Sequence, residues 1–180
     1  AFQRVYKLTE VVIPGGITEI SDGLFYKCTK LVSFVIPETV TSIGSKAFGL
    51  CKSLSGIVLP PAITRIGESA FEGCETLARI ELPTNLTSIP DGTFSKCAQL
   101  KSIVIPGSVS VIGKSAFENC AAMKSVNIRD GVKRIEEAAF EQCSSLSDLR
   151  IPGTVDFIGA GAFGFCGLLK DVSLPDGIKV

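Results

Sequence analysis

Apolar and polar positions recur along this chain with one fixed spacing. Leu8, Leu31, Leu54, Leu77, Leu100, Met123, Leu146 and Leu169 fall 23 residues apart, and two further columns keep the same step. One runs Phe25, Phe48, Phe71, Phe94, Phe117, Phe140, Phe163; the other runs Cys28, Cys51, Cys74, Cys97, Cys120, Cys143, Cys166. Counted from the leucine, the unit reads L-x-x-V-x-I-P-x-x-V-x-x-I-G-x-x-A-F-x-x-C-x-x. A period of this length, held without an insertion, marks a solenoid. Residues 1–7 end one partial unit, seven full units occupy 8–168, and 169–180 begin another, so the expectation is a single repeat domain with no linker.

Each stretch of the unit predicts a local element. In Leu100–Ile105 the residues Leu100, Ile103 and Ile105 alternate with polar or outward positions, the pattern of a short strand with one buried face. Pro106 removes a ladder donor and ends that strand. Val109 and Ile112 predict a second short extended segment, and Gly113 a turn that bulkier residues would strain. Ala116, Phe117 and Cys120 have the spacing of one helical turn. A single unit cannot bury its apolar face alone, so stability belongs to the stacked array.

Composition changes this picture mainly by exclusion. With 46% hydrophobic residues in 180, the chain can bury a real core as one domain. Lys plus Arg (18) equals Asp plus Glu (18), which gives no electrostatic case for nucleic acid or an anionic membrane. No apolar run approaches the ~20 residues that span a bilayer. There is no His, which removes Ser-His-Asp and Cys-His catalysis and imidazole metal sites. We expect no enzyme, no cofactor and no metal. The chain starts and stops inside the pattern, with no polar capping unit. The expectation is therefore an excised fragment or an array that associates end to end.

Units such as LKSIVIPGSVSVIGKSAFENCAA and LSDLRIPGTVDFIGAGAFGFCGL resemble the BspA-like, or Treponema-type, leucine-rich repeats. The resemblance covers essentially the whole chain. It implies an α/β, right-handed leucine-rich-repeat solenoid with a parallel β-sheet on the concave face, and short second strands and helical turns elsewhere. It also implies a cell-surface or secreted protein that adheres to host matrix or cell-surface proteins, and it brings no catalytic residues. Departures are Arg129 in the proline slot, Pro90 and Glu136 in the glycine slot, Thr93 in the alanine slot, and Ser21 and Leu24 in the first unit. They leave open whether the units around 83–93 and 129–137 bend differently.

Three columns invite a functional reading and have a structural one. The cysteines suggest disulfides or a soft metal, but Val5 fills the same slot in the leading partial unit and can neither bridge nor ligate. We read them as reduced, inaccessible packing groups. The phenylalanines could stack bases or sugars, yet their Ala and Cys neighbours place them in the core. Thr18, Thr41, Thr64, Thr87 and Ser110 form a hydroxyl ladder, read as side-chain to backbone bonding rather than a glycan surface. Acidic pairs such as Glu136-Glu137 read as solvated surface.

Outward strand positions carry the functional expectation. The slot flanked by Val11 and Ile13 reads Val12, Val35, Val58, Glu81, Val104, Asn127, Arg150, Ser173 down the array, with Val32 beside Val35. Lys101, Lys124 and Lys170 share another column, with Asp148 and Asp171 near Arg150. The concave face is thus expected to be apolar in its N-terminal half and charged in its C-terminal half, and to bind protein partners. The alternatives are a spacer that presents another domain, or a glycan-binding solenoid. A second candidate patch is Phe157, Phe165 and Leu168, in slots that are mostly polar or small in other units.

Overall fold

The computed structural model describes residues 1–179. In chain order the strands are β1 (Glu19–Ile20), β2 (Ser33–Val35), β3 (Ser42–Ile43), β4 (Gly56–Val58), β5 (Arg65–Ile66) and β6 (Ser88–Ile89), followed by β7 (Ser102–Ile105), β8 (Val111–Ile112), β9 (Ser125–Ile128), β10 (Arg134–Ile135), β11 (Asp148–Arg150) and β12 (Phe157–Ile158). All pairings between these strands are parallel and join residues one repeat apart, as in Phe34 with Ile57 and Ile103 with Val126. Two ladders result. The first contains β2–β4 and β7–β9–β11; the second contains β1–β3–β5 and β6–β8–β10–β12. Strands of two to four residues suffice because each gains its partners from neighbouring coils rather than from its own length.

The core follows the apolar columns. Phe25, Phe48, Phe71, Phe94, Phe117 and Phe140 are wholly buried, and the rings from Phe2 to Phe163 stack with centroids 5.0 to 5.6 Å apart. Offset stacking of this kind adds to the area term that each ring contributes. Phe34 enters tilted against Phe25 and edge-on against Phe48, at 4.8 and 5.1 Å.

The helical turn expected at Ala116–Cys120 does not form, and no helix occurs among the described residues, so the chain is a β-solenoid rather than an α/β protein. The segment is instead a run of tight turns. The amides of Ala116, Glu118 and Cys120 bond three residues back, to Gly113, Ser115 and Phe117. The alternate amides of Ser115, Phe117 and Asn119 donate to the next coil, at Glu137, Ala139 and Glu141. A helix would consume every amide within the segment and leave nothing to join the coils. Alternation requires a left-handed residue in each turn, and Ser115 (φ 50) and Asn119 (φ 59) supply it. The same two positions are left-handed in coil after coil, from Lys27 and Lys46 to Gln142 and Phe165.

Gly113 also serves a purpose other than the expected one. Its φ is not left-handed; a Cβ there would lie 2.7 Å from the amide nitrogen of Asp91 in the preceding coil. Gly44, Gly67 and Gly159 meet the preceding backbone at 2.3 to 2.5 Å in the same way. The column exists for close approach between coils.

Of the departures flagged in the repeat, Arg129 strengthens the stack. Its amide, absent from the usual proline, donates to Ile105 at 3.1 Å, and β7 pairs with β9 over four residues. Around Pro90 the opposite holds: the second ladder is interrupted between the coils of residues 54–76 and 77–99, and the first has no strand in the coil of 77–99.

Candidate interaction face

The first ladder presents one row of side chains inward and the next outward. Phe34, Ile57, Ile80, Ile103 and Val126 are buried, and the residues that follow them are turned to solvent. Val12, Val35 and Val58 are 86%, 82% and 79% exposed, a contiguous apolar row one coil apart, while Val104 and Val32 are about half exposed at 50% and 49%. Glu81, Asn127 and Arg150 continue the row, and Lys101, Lys124 and Lys170 stand exposed in their neighbouring column. Every residue expected on this face is therefore accessible, with the apolar part in the first coils and the charged part in the later ones. Scattered surface valines are ordinary; two in register on β2 and β4, with Val12 one coil before them, form a patch.

Two grooves cut this face. One, of about 380 Å³, lies where coil one meets coil two and is walled by Val11, Val12, Ile13, Phe34, Val35 and Pro37. The other, of about 570 Å³, lies between residues 79–82 and 102–107, over Ile80, Leu82 and Val104, with Arg79 and Arg129 at its rim. Sequence reasoning missed Arg79, Leu82 and Arg129 as groove residues. Arg129 was visible as a departure from proline, but its position over the groove depends on how the coil of 77–99 packs. Arg79 and Glu81 sit 3.8 Å apart with both side chains over four-fifths exposed, which contributes little to stability.

The second patch separates into two. Phe157 is partly buried in β12, where the Arg134 guanidinium lies 3.9 Å from its ring centroid and bonds Glu136 at 2.7 Å. Phe165 and Leu168 remain exposed, at 78% and 53%. Phe165 borders an open groove with Asn119, Ala121, Gln142 and Ser144.

Three members of the hydroxyl ladder bond as expected: Thr41, Thr64 and Ser110 donate to the carbonyls of Thr18, Thr41 and Thr87, at 3.2, 3.5 and 3.3 Å. The seven thiols are free and buried. Each donates to the carbonyl of the phenylalanine column one coil back, as Cys51 to Phe25 at 3.2 Å and Cys97 to Phe71 at 3.3 Å. Burial pushes Cys51 and Cys97 up to about 12, and Cys74 and Cys120 well above the ordinary thiol value of 9.0. Cys166, in the last complete coil, is raised to about 11 by the same cause. Thiols held protonated are poor nucleophiles and poor ligands.

A match to the BspA type leucine rich repeat region, in six copies, covers residues 1–124 and 69–180. The chain belongs to this family. A leucine-rich-repeat protein of Treponema pallidum is 36% identical to it, with a TM-score of 0.80 over 88% of this chain and 75% of that one. A leucine-rich cell surface protein of Faecalibacterium prausnitzii is 28% identical, with a TM-score of 0.59 over 92% of this chain. A leucine-rich-repeat protein of Eubacterium ventriosum is 26% identical, with a TM-score of 0.71 over 82%. The chain spans 53% and 40% of these last two proteins. No curated protein sequence matches it. Leucine-rich repeats are a protein-interaction scaffold, and no enzymatic family is indicated. No helix among the described residues is long and apolar enough to cross a membrane.

Proposed function

We propose that this chain is a non-catalytic adhesion module that binds host matrix or cell-surface proteins through its first-ladder face. The observation that carries the reading is the row Val12, Val35 and Val58, about four-fifths exposed, with Val35 and Val58 paired on β2 and β4 over the buried Phe34 and Ile57. Burying a valine contributes about 1.5–3 kcal/mol at most, so three supply weak affinity once the cost of association is met. Lys101, Lys124 and Arg150 would orient an acidic partner during approach and matter for rate more than for residence. Display of many copies at a surface would convert weak contacts into firm attachment. The name of the F. prausnitzii neighbour supports a surface or secreted location.

The test is kinetic, on a panel of immobilised matrix proteins. Against a protein that captures the parent chain, Val35→Ser with Val58→Ser should raise the dissociation rate with little dependence on salt. Lys101→Ser with Lys124→Ser should slow association, most strongly at low salt. Both pairs binding like the parent would dismiss this face as the contact surface.

A further inference from the structure

We infer that the solenoid is two blocks hinged between the coil of 54–76 and the coil of 77–99. Three recurrent strand-side bonds join coils elsewhere in the array. Gly67 and Gly113 donate to Ile43 and Ile89, Thr64 and Ser110 donate to Thr41 and Thr87, and Ser55 and Lys101 donate to Val32 and Ala78. At this one junction all three are missing among the described residues. Pro90 occupies the slot of Gly67 and Gly113 and has no amide hydrogen to give Ile66. Thr87 makes no bond to Thr64, nor Ala78 to Ser55, and neither β5 and β6 nor β4 and residues 79–81 pair.

The turn side of the same junction is intact. Ser69, Phe71 and Gly73 donate to Asp91, Thr93 and Ser95 at 2.8 to 3.0 Å, and the Phe71 and Phe94 rings stack at 5.4 Å. One long edge is therefore bonded along its backbone, and the opposite edge is held by side-chain packing and one exposed side-chain bond, from the Asn85 amide to the Pro61 carbonyl at 3.3 Å. Such a joint opens by rotation about the bonded edge, with the strand side parting. The first block carries Val12, Val35 and Val58, and the second carries Lys101, Lys124 and Arg150. The hinge thus falls between the apolar and charged parts of the face and lets the two adjust their angle to a contoured partner. The hinge itself rests only on the bonding pattern and stands whether or not that face is the contact surface.

Spin-label distances on the full chain test this. Exposed positions three repeats apart give one pair across the junction, Val58→Cys with Asn127→Cys, and one inside the second block, Glu81→Cys with Arg150→Cys, while the native thiols are buried from the label. The pair across the junction should show a distance distribution at least about twice as broad as the pair inside the block. Pro90→Gly, which puts the column's usual residue and its amide back, should narrow the first distribution and leave the second unchanged. Equal widths for the two pairs in the parent, or no response to Pro90→Gly, overturns the hinge.

Discussion

Raising the pH should unfold this protein sharply, and the thiol column sets where. Cys51, Cys74, Cys97 and Cys120 are fully buried, and burial holds their protons far more firmly than the ordinary value of 9.0, to about 12 for Cys51 and Cys97. A group whose pKa is higher in the folded chain contributes stability in full below its unfolded value. That stability is lost as pH climbs from 9 towards 12, because only the unfolded chain can release the proton. At pH 10 each of these thiols favours unfolding by about 1–2 kcal/mol. Four together amount to roughly 6 kcal/mol, comparable with the whole stability of an ordinary domain, ~5–15 kcal/mol. Thiolate absorbance near 240 nm, followed beside far-ultraviolet dichroism under reducing conditions, should therefore rise in the same step in which the sheet signal is lost. Cys97→Val, which places at residue 97 the side chain that Val5 already carries in that slot, should fold and should shift the midpoint upward. Thiolates forming below pH 9.5 in a chain that keeps its dichroism would refute the burial argument.

Other consequences follow from the backbone. Gln142→Gly should stabilise by about 1 kcal/mol in a denaturant titration, because φ 58 disfavours a side chain there and the Gln142 side chain is exposed. Loss of stability would show that the left-handed turns carry no strain. Gly67→Ala should destabilise by about 1–3 kcal/mol, since its Cβ would fall 2.3 Å from the amide nitrogen of Ser45. An unchanged melting temperature would mean that the coils can separate there.

The repeat, the inward columns and both strand segments were legible because burial writes a period into the sequence and each column has one environment. Phe117 and Cys120 were correctly assigned to the core, although the backbone between them was read as helical. Apolar spacing reports which side chains point inward and not which partner each amide takes. A signal was present in the glycines: Gly23, Gly92 and Gly161 share the column of Lys46 and Ser115, and Gly73 shares that of Asn119. Glycine recurring among polar residues at one slot marks a left-handed backbone. Gly113 was misread for the reverse reason, because a glycine needed for clearance looks the same in sequence as one needed for φ. Phe157 was grouped with Phe165 and Leu168 by its unusual size, and only the stack shows that Arg134 covers its ring. The interruption at Pro90 was flagged as a departure, but its consequence depends on three columns failing at one junction, which no single unit reveals.

The claim that the valine row is the contact surface is tested most directly by radical footprinting of the chain, free and bound to a protein that captures it. Hydroxyl radicals oxidise exposed aliphatic and aromatic side chains in proportion to access, and Phe165 and Leu168 serve as internal references on the same molecule. The account predicts strong protection of Val12, Val35 and Val58 on binding, with Phe165 and Leu168 oxidised as before. Protection of Phe165 and Leu168 with the three valines still oxidised would contradict it.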